Sequence, residues 1–415
     1  MKLTVNTKYI IIQGLFWMLF CIGMGFMSLY LLEEGVSNIA IGFMSASFGV
    51  ISAILQPILG RICDRNAKYS WKNMSIICAA LFAIVCLLML FFGGPYFSII
   101  AIGMMTLIAN LIMPFINSAL FYYKNAGENI NFGVARGTGS LMYALISLIA
   151  GNLAAIYGTK VVPALGVTVA LFFIFIICSM PYDLNKDTAK LSEINRVKNN
   201  KSAAADTNEI TQNPDANCNN GGSFIKDNKI FLMMLLGFIL LSSTHNITCN
   251  FGLQIINNLG GDSTNLGTTM AIQAMVEVPV LFCFAFLIKK INSVKLLCIA
   301  AIGYVLKATC YYLSGTINMI YITQLFQIFS FAIFASASVY YTEDMVDEKD
   351  RTTGQALMAG AIVAGNVVGS SIGGFVLDAF GVKNMLLVNI ILGVVGACIA
   401  LIAAGYSEKL IKSRR

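Results

Sequence analysis

IGFMSASFGVISAILQPILGRICDRNAKYSWKNM, residues 41–74, decides which solvent this chain is built for. It is apolar from Ile41 to Leu59, turns basic through Arg61, Arg65, Lys68 and Lys72, and then enters a second apolar run at 71–92. About 20 apolar residues cross a bilayer as a helix. Two such runs joined by a short cationic turn read as a helical hairpin whose turn lies at a membrane surface. Helices rather than barrel strands follow from the unbroken apolar pattern, because backbone groups in lipid must be paired within the segment.

The same pattern extends along the chain. Spans are expected near 9–32, 38–61, 71–92, 95–122, 132–158, 161–180, 229–258, 264–289, 293–314, 316–342, 354–380 and 383–405. The composition agrees: 58% of the 415 residues are hydrophobic and 11% are charged, against roughly 25% charged in soluble domains. No cleavable leader is expected, because the first apolar run is too long and leads into a second span. The net charge of +7 does not point to nucleic acid, because the basic residues are dispersed among the loops. They fall on one side: Lys2 and Lys8, Arg61 to Lys72, Lys124, seven from Lys186 to Lys229, Lys289, Lys290 and Lys295, Lys349 and Arg351, and the tail from Lys409 to Arg415. Only Lys160 and Lys383 fall on the other. The positive-inside rule then places both termini in the cytoplasm and the protein in the cell inner membrane.

Residues 181–228 differ in kind, being rich in Asn, Asp, Lys and Ser. They read as a flexible cytoplasmic linker. The expected fold is therefore an all-α integral membrane protein of twelve transmembrane helices, in two pseudo-symmetric six-helix bundles, 1–180 and 229–415. The fifth and eleventh spans are both glycine-rich, with Gly365, Gly369 and Gly373 at the spacing that brings backbones close. The chain is expected to act as a monomer.

Ionisable groups inside lipid cost roughly 2.5–3.5 kcal/mol on insertion scales, so those present are functional candidates. Glu277 is the one carboxylate in mid-span and Lys307 the one lysine. Each lies roughly 15–20 Å from its basic-side helix end at 1.5 Å per residue, so the two are expected to meet. One reading makes Glu277 a proton carrier governed by Lys307 and burial; the other is a structural ion pair. Arg136 is either a fork of donors for substrate oxygens or a side chain that snorkels to the interface. His245, the sole histidine, is either a proton relay or a packing residue. The eleven cysteines lie mostly in apolar spans without a CxxC pair and read as small hydrophobes. There is no GxxxxGK[ST] loop, no metal cluster, no expected cofactor and no evident nucleophile–base set, so an enzyme is not expected.

Several segments carry a family resemblance. QPILGRICDRNAKYSWKNM (56–74) resembles the loop motif of the major facilitator superfamily through Gly60, Arg61, Asp64 and Arg65, which implies a cytoplasmic gating latch. IGFMSASFGVISAILQPILGRICD (41–64) resembles the second helix of the lactose permease group of oligosaccharide–proton symporters. FGVARGTGSLMYA (132–144) resembles that group's fifth helix, and FLIKKINSVKLLCI (286–299) its loop between helices eight and nine. AMVEVPVLF (274–282) and DRTTGQAL (350–357) are similar to the related phenylpropionate-permease-like branch. The resemblance gives Arg136 the role of holding sugar and sets Lys307 beside a protonated glutamate.

It also implies a cavity lined by helices one, four, seven and ten. That makes Trp17, Asn110, Asn117, Asn246, Asn250, Gln324 and Gln327 substrate-binding candidates, although any one of them is as readily interhelical glue. The chain departs from lactose permease at Ser118, Asn246, Cys249, Gln327 and Ser330, where that protein has ionisable residues. Lactose itself is therefore not expected, and an arginine without its usual carboxylate leaves room for an anion. The function expected is secondary active transport, as proton-coupled symport of a sugar or similar small polar solute by alternating access. Efflux of amphipathic compounds, uptake of an organic anion or nucleoside, and a non-transporting sensor are the alternatives.

Overall fold

The computed structural model describes residues 3–65, 69–181, 224, 228–347 and 350–414. Six helices precede the expected linker: α1 Val5–Glu33, α2 Asn38–Arg65, α3 Trp71–Phe91, α4 Pro95–Asn125, α5 Phe132–Tyr157 and α6 Val161–Cys178. Then come α7 Lys229–Asn250, continued by Gly252–Asn258, α8 Ser263–Lys290, α9 Ser293–Leu313 and α10 Ile317–Met345. The last helical run, Arg351–Arg414, holds 64 residues. That is about 96 Å at 1.5 Å per residue, three times a hydrocarbon core of about 30 Å. It breaks at Gly381, φ 80° and ψ 175°, and so forms two crossings, α11 (351–380) and α12 (382–414). The chain is an all-helical membrane protein whose spans match the apolar runs of the sequence. The expected linker lies outside the described residues except for 181, 224 and 228.

Caps at both membrane faces fix where helices begin. Ser70, Asn131 and Asn292 accept from the backbone N–H of Asn73, Val134 and Lys295 at 3.3, 3.1 and 2.8 Å. Asp262 and Asn265 form a reciprocal capping box at the start of α8. Such caps satisfy amide donors that the first helical turn cannot. Gly158, between α5 and α6, has φ 81° and ψ 175°, matching Gly381 between α11 and α12. This left-handed extended geometry is open to glycine alone, and its recurrence at corresponding turns is a backbone signature of the repeat.

Hydrophobic packing separates the molecule into a core among α1–α6 and another among α7–α12. The first also reaches Phe251, Ile255, Leu266 and Leu377 at the end opposite the basic loops. The α2 and α11 helices pack against each other across the halves, as do α5 and α8. Glycines permit this: a methyl at Gly42 would strike the Ser370 carbonyl, and one at Gly267 the Ser147 carbonyl. Gly365, Gly369 and Gly373 serve contact within a half, where α11 rides on Ser242, Ser243 and Phe251 of α7.

Candidate transport cavity

A cavity of about 390 Å³ lies between the halves at mid-membrane, within the size range of small-molecule sites. Trp17 and Phe20 of α1, Asn110 and Met113 of α4, and Arg136, Ser140 and Tyr143 of α5 form one wall. The other has His245, Thr248 and Cys249 of α7, Met270, Gln273 and Glu277 of α8, and Phe331 of α10. Two backbone irregularities sit at this depth. The α1 helix has a π turn at Cys21–Gly25, and α10 passes through a 3₁₀ turn at Gln324–Gln327 into a π turn at Ile328–Ala332. Loosened helix in lipid is tolerated where protein or a cavity covers it, and such turns recur at functional sites.

Arg136 sits over the Trp17 indole, its guanidinium carbon 4.1 Å from the ring centroid, and donates to Ser140 Oγ at 3.1 Å. The indole presses edge-on against Gly139, where a methyl would collide with Trp17 Cδ1. Burial of the cation on an aromatic face adds a cation–π attraction of about 2 kcal/mol where the wall is desolvated.

Across the cavity, Glu277 and Lys307 do not touch. Gln327 stands between them: Lys307 Nζ donates to its Oε1 at 2.5 Å, and its Nε2 donates to Glu277 Oε1 at 2.7 Å. Direct contact was the expectation from the sequence; the 3₁₀ turn of α10 inserts an amide instead. Lys307 is 3% exposed and Gln327 fully buried, whereas Glu277 is half-buried on the cavity wall. An amide oriented with its oxygen to the ammonium and its NH₂ to the carboxylate suits both charges at once.

The remaining candidates divide. His245 lines the cavity, stacked on Phe331 with centroids 4.7 Å apart, and its Nε2 is 3.6 Å from Cys249 Sγ. Asn110 also lines the cavity, but its NH₂ donates to Thr106 O of its own helix at 2.9 Å. Asn117 is exposed and away from the cavity. Its seven-residue spacing from Asn110 keeps the face but moves it about 10.5 Å along the axis, with Pro114 between. Asn246 donates to Ser242 O at 2.8 Å and stands outside the cavity. Gln324 is fully buried and bonds to the Tyr311 hydroxyl and the Ile320 carbonyl, at 2.8 and 2.9 Å. Gly60 meets no neighbour within 4 Å of an added methyl, and Arg61 is exposed. The side chains of Asp64 and Arg65 lie outside the described residues.

Asn250 belongs to a seal. Its Nδ2 is 2.6 Å from Ser370 Oγ, 2.9 Å from Asn366 Oδ1 and 3.3 Å from Ser45 Oγ, and its carbonyl accepts from Ser28 Oγ. Further out, Asp378 of α11 accepts from Asn38 Nδ2 at 2.6 Å and Ile39 N at 2.8 Å, capping α2 from the other half. Gln254 Nε2 donates to Asn38 Oδ1 at 2.7 Å, and Ser263 Oγ to the Gly151 carbonyl at 3.0 Å. These hydrogen bonds between the halves lie on the side away from the basic loops. Toward the basic end, Phe282 of α8 fills the space beside Gly137 of α5. The sequence reading missed Asp378, Asn366 and Gln273. Gln273 was within reach of it, being four residues before Glu277 on the same helical face.

Among the described residues, twelve membrane-crossing helices in two matched halves, with a cavity between them sealed at one end, define a secondary transporter of the major facilitator type. The MFS_1 like family model matches residues 9–388, and the chain belongs to that family. No curated protein sequence matches it. Among solved structures, that of the nucleoside transporter NupG superposes with a TM-score of 0.75 at 14% identity, covering 97% of this chain and 98% of that one. A bacterial homolog of the human lysosomal transporter Spinster, in an inward-facing and unoccupied conformation, gives 0.68 at 14%, covering 99% of each. A mutant of the peptide transporter POT gives 0.69 at 12%, covering 98% and 95%. At these identities the likeness is one of fold.

Proposed function

We propose that this carrier couples a proton to the movement of a small polar solute by alternating access, with Glu277 as the proton site and Arg136 as the anchor for the solute. The observation that carries the reading is the Glu277–Gln327–Lys307 chain in the wall of the cavity that Arg136 faces. A carboxylate exposed to a substrate cavity and backed by a buried cation is an arrangement that membrane proteins keep for proton movement. The halves 1–180 and 229–415 rock as units, opening the Asn250 and Asp378 seal on one side and closing the basic side. Sugar as the solute draws support from the likeness to the lactose permease group in α2, α5 and the α8–α9 turn. Efflux of amphipathic compounds draws on the cavity's Phe20, Met113, Met270 and Phe331.

The test uses the purified full chain in proteoliposomes, after a thermal-shift screen has supplied a binding solute. An imposed pH gradient should concentrate that solute, and a protonophore should abolish the gain. Accumulation indifferent to the gradient would remove the coupling. Arg136→Lys should weaken solute binding about tenfold or more, because an ammonium keeps the charge but loses the planar fork. An unchanged affinity would return Arg136 to an interfacial role.

The positive-inside rule places the basic loops and both termini in the cytoplasm of a cell with this protein in its inner membrane. Reporter fusions after residue 181 and after Arg415 should both read as cytoplasmic. A signal from the far side at either site would reverse the orientation.

A further inference from the structure

Charge bookkeeping in the cavity points to what the solute carries. On the α8 side, the Glu277 carboxylate reaches the Lys307 ammonium through Gln327 and also lies in the field of Arg136 across the cavity, so one negative charge is shared by two cations. On the α5 side, Arg136 has the Trp17 face and the Ser140 hydroxyl. Among the described residues, no carboxylate is in ion-pair contact with it. A guanidinium has five N–H donors and no acceptor, and one recorded bond leaves most of that fork unspent at the wall of a cavity. Arg136 and Lys307 against Glu277 leave one positive charge in excess, in a site whose other lining is chiefly Trp17, Phe20, Met113, Met270 and Phe331. Isolated charge in so apolar a setting is expensive, and a ligand of opposite sign relieves it in the bound state.

We propose that the solute is a small monoanion, a carboxylate on a compact body with few hydroxyls, whose two oxygens take the fork of Arg136. This rests on the reading above only in making this cavity the solute site. It goes further in assigning charge, since a neutral sugar or nucleoside would leave the excess uncompensated. The apolar body lies against the aromatic and methionine side chains, and Glu277 stays on the far wall within the fields of both Arg136 and Lys307.

Binding to the purified full chain in detergent, with no pH gradient, tests the charge assignment separately from proton coupling. The probes are matched pairs: benzoate against benzamide, isovalerate against isovaleramide, and galacturonate against galactose. Melting shifts titrated at constant pH and ionic strength give the affinities. At least one carboxylate should bind about tenfold or more tightly than its neutral partner, the scale of a charge-assisted bidentate contact. Arg136→Gln should bring that ratio near one. Glu277→Gln, which removes the cavity's negative charge, should widen it. The unliganded melting transition of each variant shows whether it is folded, and Arg136→Lys, which keeps the charge, should retain part of the preference.

The proposal is overturned if no carboxylate binds more tightly than its neutral partner, or if folded Arg136→Gln keeps the full preference. Carboxylate preference without pH-driven accumulation would leave this assignment standing and remove the proton coupling. Accumulation of a neutral solute would do the reverse.

Discussion

Glu277→Gln should abolish uphill accumulation while leaving exchange of solute across the membrane. The substitution is gentle in shape, because an amide oxygen at that position still accepts from Gln327 Nε2, now 2.7 Å from Glu277 Oε1. What it removes is the charge that alternates. A residue fixed in the neutral form leaves a carrier that reorients loaded, which suffices for exchange. It has no proton to release, so a pH gradient does no work on the cycle. Lys307→Gln acts differently. Lys307 is 3% exposed and its ammonium meets Gln327 Oε1 at 2.5 Å, so its loss leaves Glu277 with the more distant field of Arg136 across the cavity and no cation behind Gln327. Breaking a buried pair from one side costs about 3–5 kcal/mol when both charges are fully enclosed. Half-exposed Glu277 puts this case below that range.

The double variant Glu277→Gln with Lys307→Gln decides between coupling and scaffolding. It turns the chain into three neutral amides that can still bond end to end, so the fold should recover. If Glu277 carries the proton, the recovered protein still fails to concentrate solute. If the pair merely holds α8, α9 and α10 in register, uphill transport returns with stability. Accumulation and melting temperature measured on the same three proteins separate the outcomes, and a concentrating double variant would move the proton site elsewhere.

What could be read from the sequence follows from how each signal is written. Helix number was legible because lipid demands long apolar runs; the ends are set by caps such as Ser70, Asn131, Asp262 and Asn292, which apolar runs do not locate. That Arg136, Trp17, Glu277, His245 and Asn110 share one cavity was legible from two rules: charge is rare in lipid, and the family resemblance marks α1, α4, α5 and α7. Face assignment was harder. On α7, Asn246 and Asn250 looked like the lining pair, yet the cavity sees His245, Thr248, Cys249 and Gly252. An offset of one residue turns a side chain by about 100°, and a helix apolar nearly all round gives no moment with which to fix its rotation. Gln327 was misplaced for another reason. Regular α-helical spacing does not hold through Gln324–Ala332, and no glycine or proline in QLFQIFSFA warns of it. Asp378 was passed over because a carboxylate near a helix end reads as loop chemistry; its role appears only when α2 arrives from the other half.

That seal should be where the conformational balance is most easily tipped. Asn250→Leu removes the amide that gathers Ser45, Asn366 and Ser370. In the present state these groups are walled in between α2, α7 and α11, with Ser370 fully buried and Ser45 1% exposed. Ser370 and Asn366 keep the 3.0 Å bond to each other, so one or two polar groups lose a partner, at about 1–3 kcal/mol each. In the alternate state the same groups face water and lose little. The substitution therefore acts on one side of the equilibrium, and even one such group shifts the populations by roughly 5- to 150-fold. Asp378→Asn should act in the same direction more weakly. It keeps one acceptor oxygen for Asn38 or Ile39, turns the other into a donor, and discards a charge at the start of α2 worth about 0.3–1 kcal/mol at an exposed site. Hydrogen exchange of the unliganded protein reads both effects. Amides at 36–45 and 250–258 should exchange faster, most in Asn250→Leu, while those of α3 and α6 keep their protection. Uniform loss of protection would mean plain destabilisation, and unchanged exchange at 36–45 in folded Asn250→Leu would mean that these bonds do not hold the end shut.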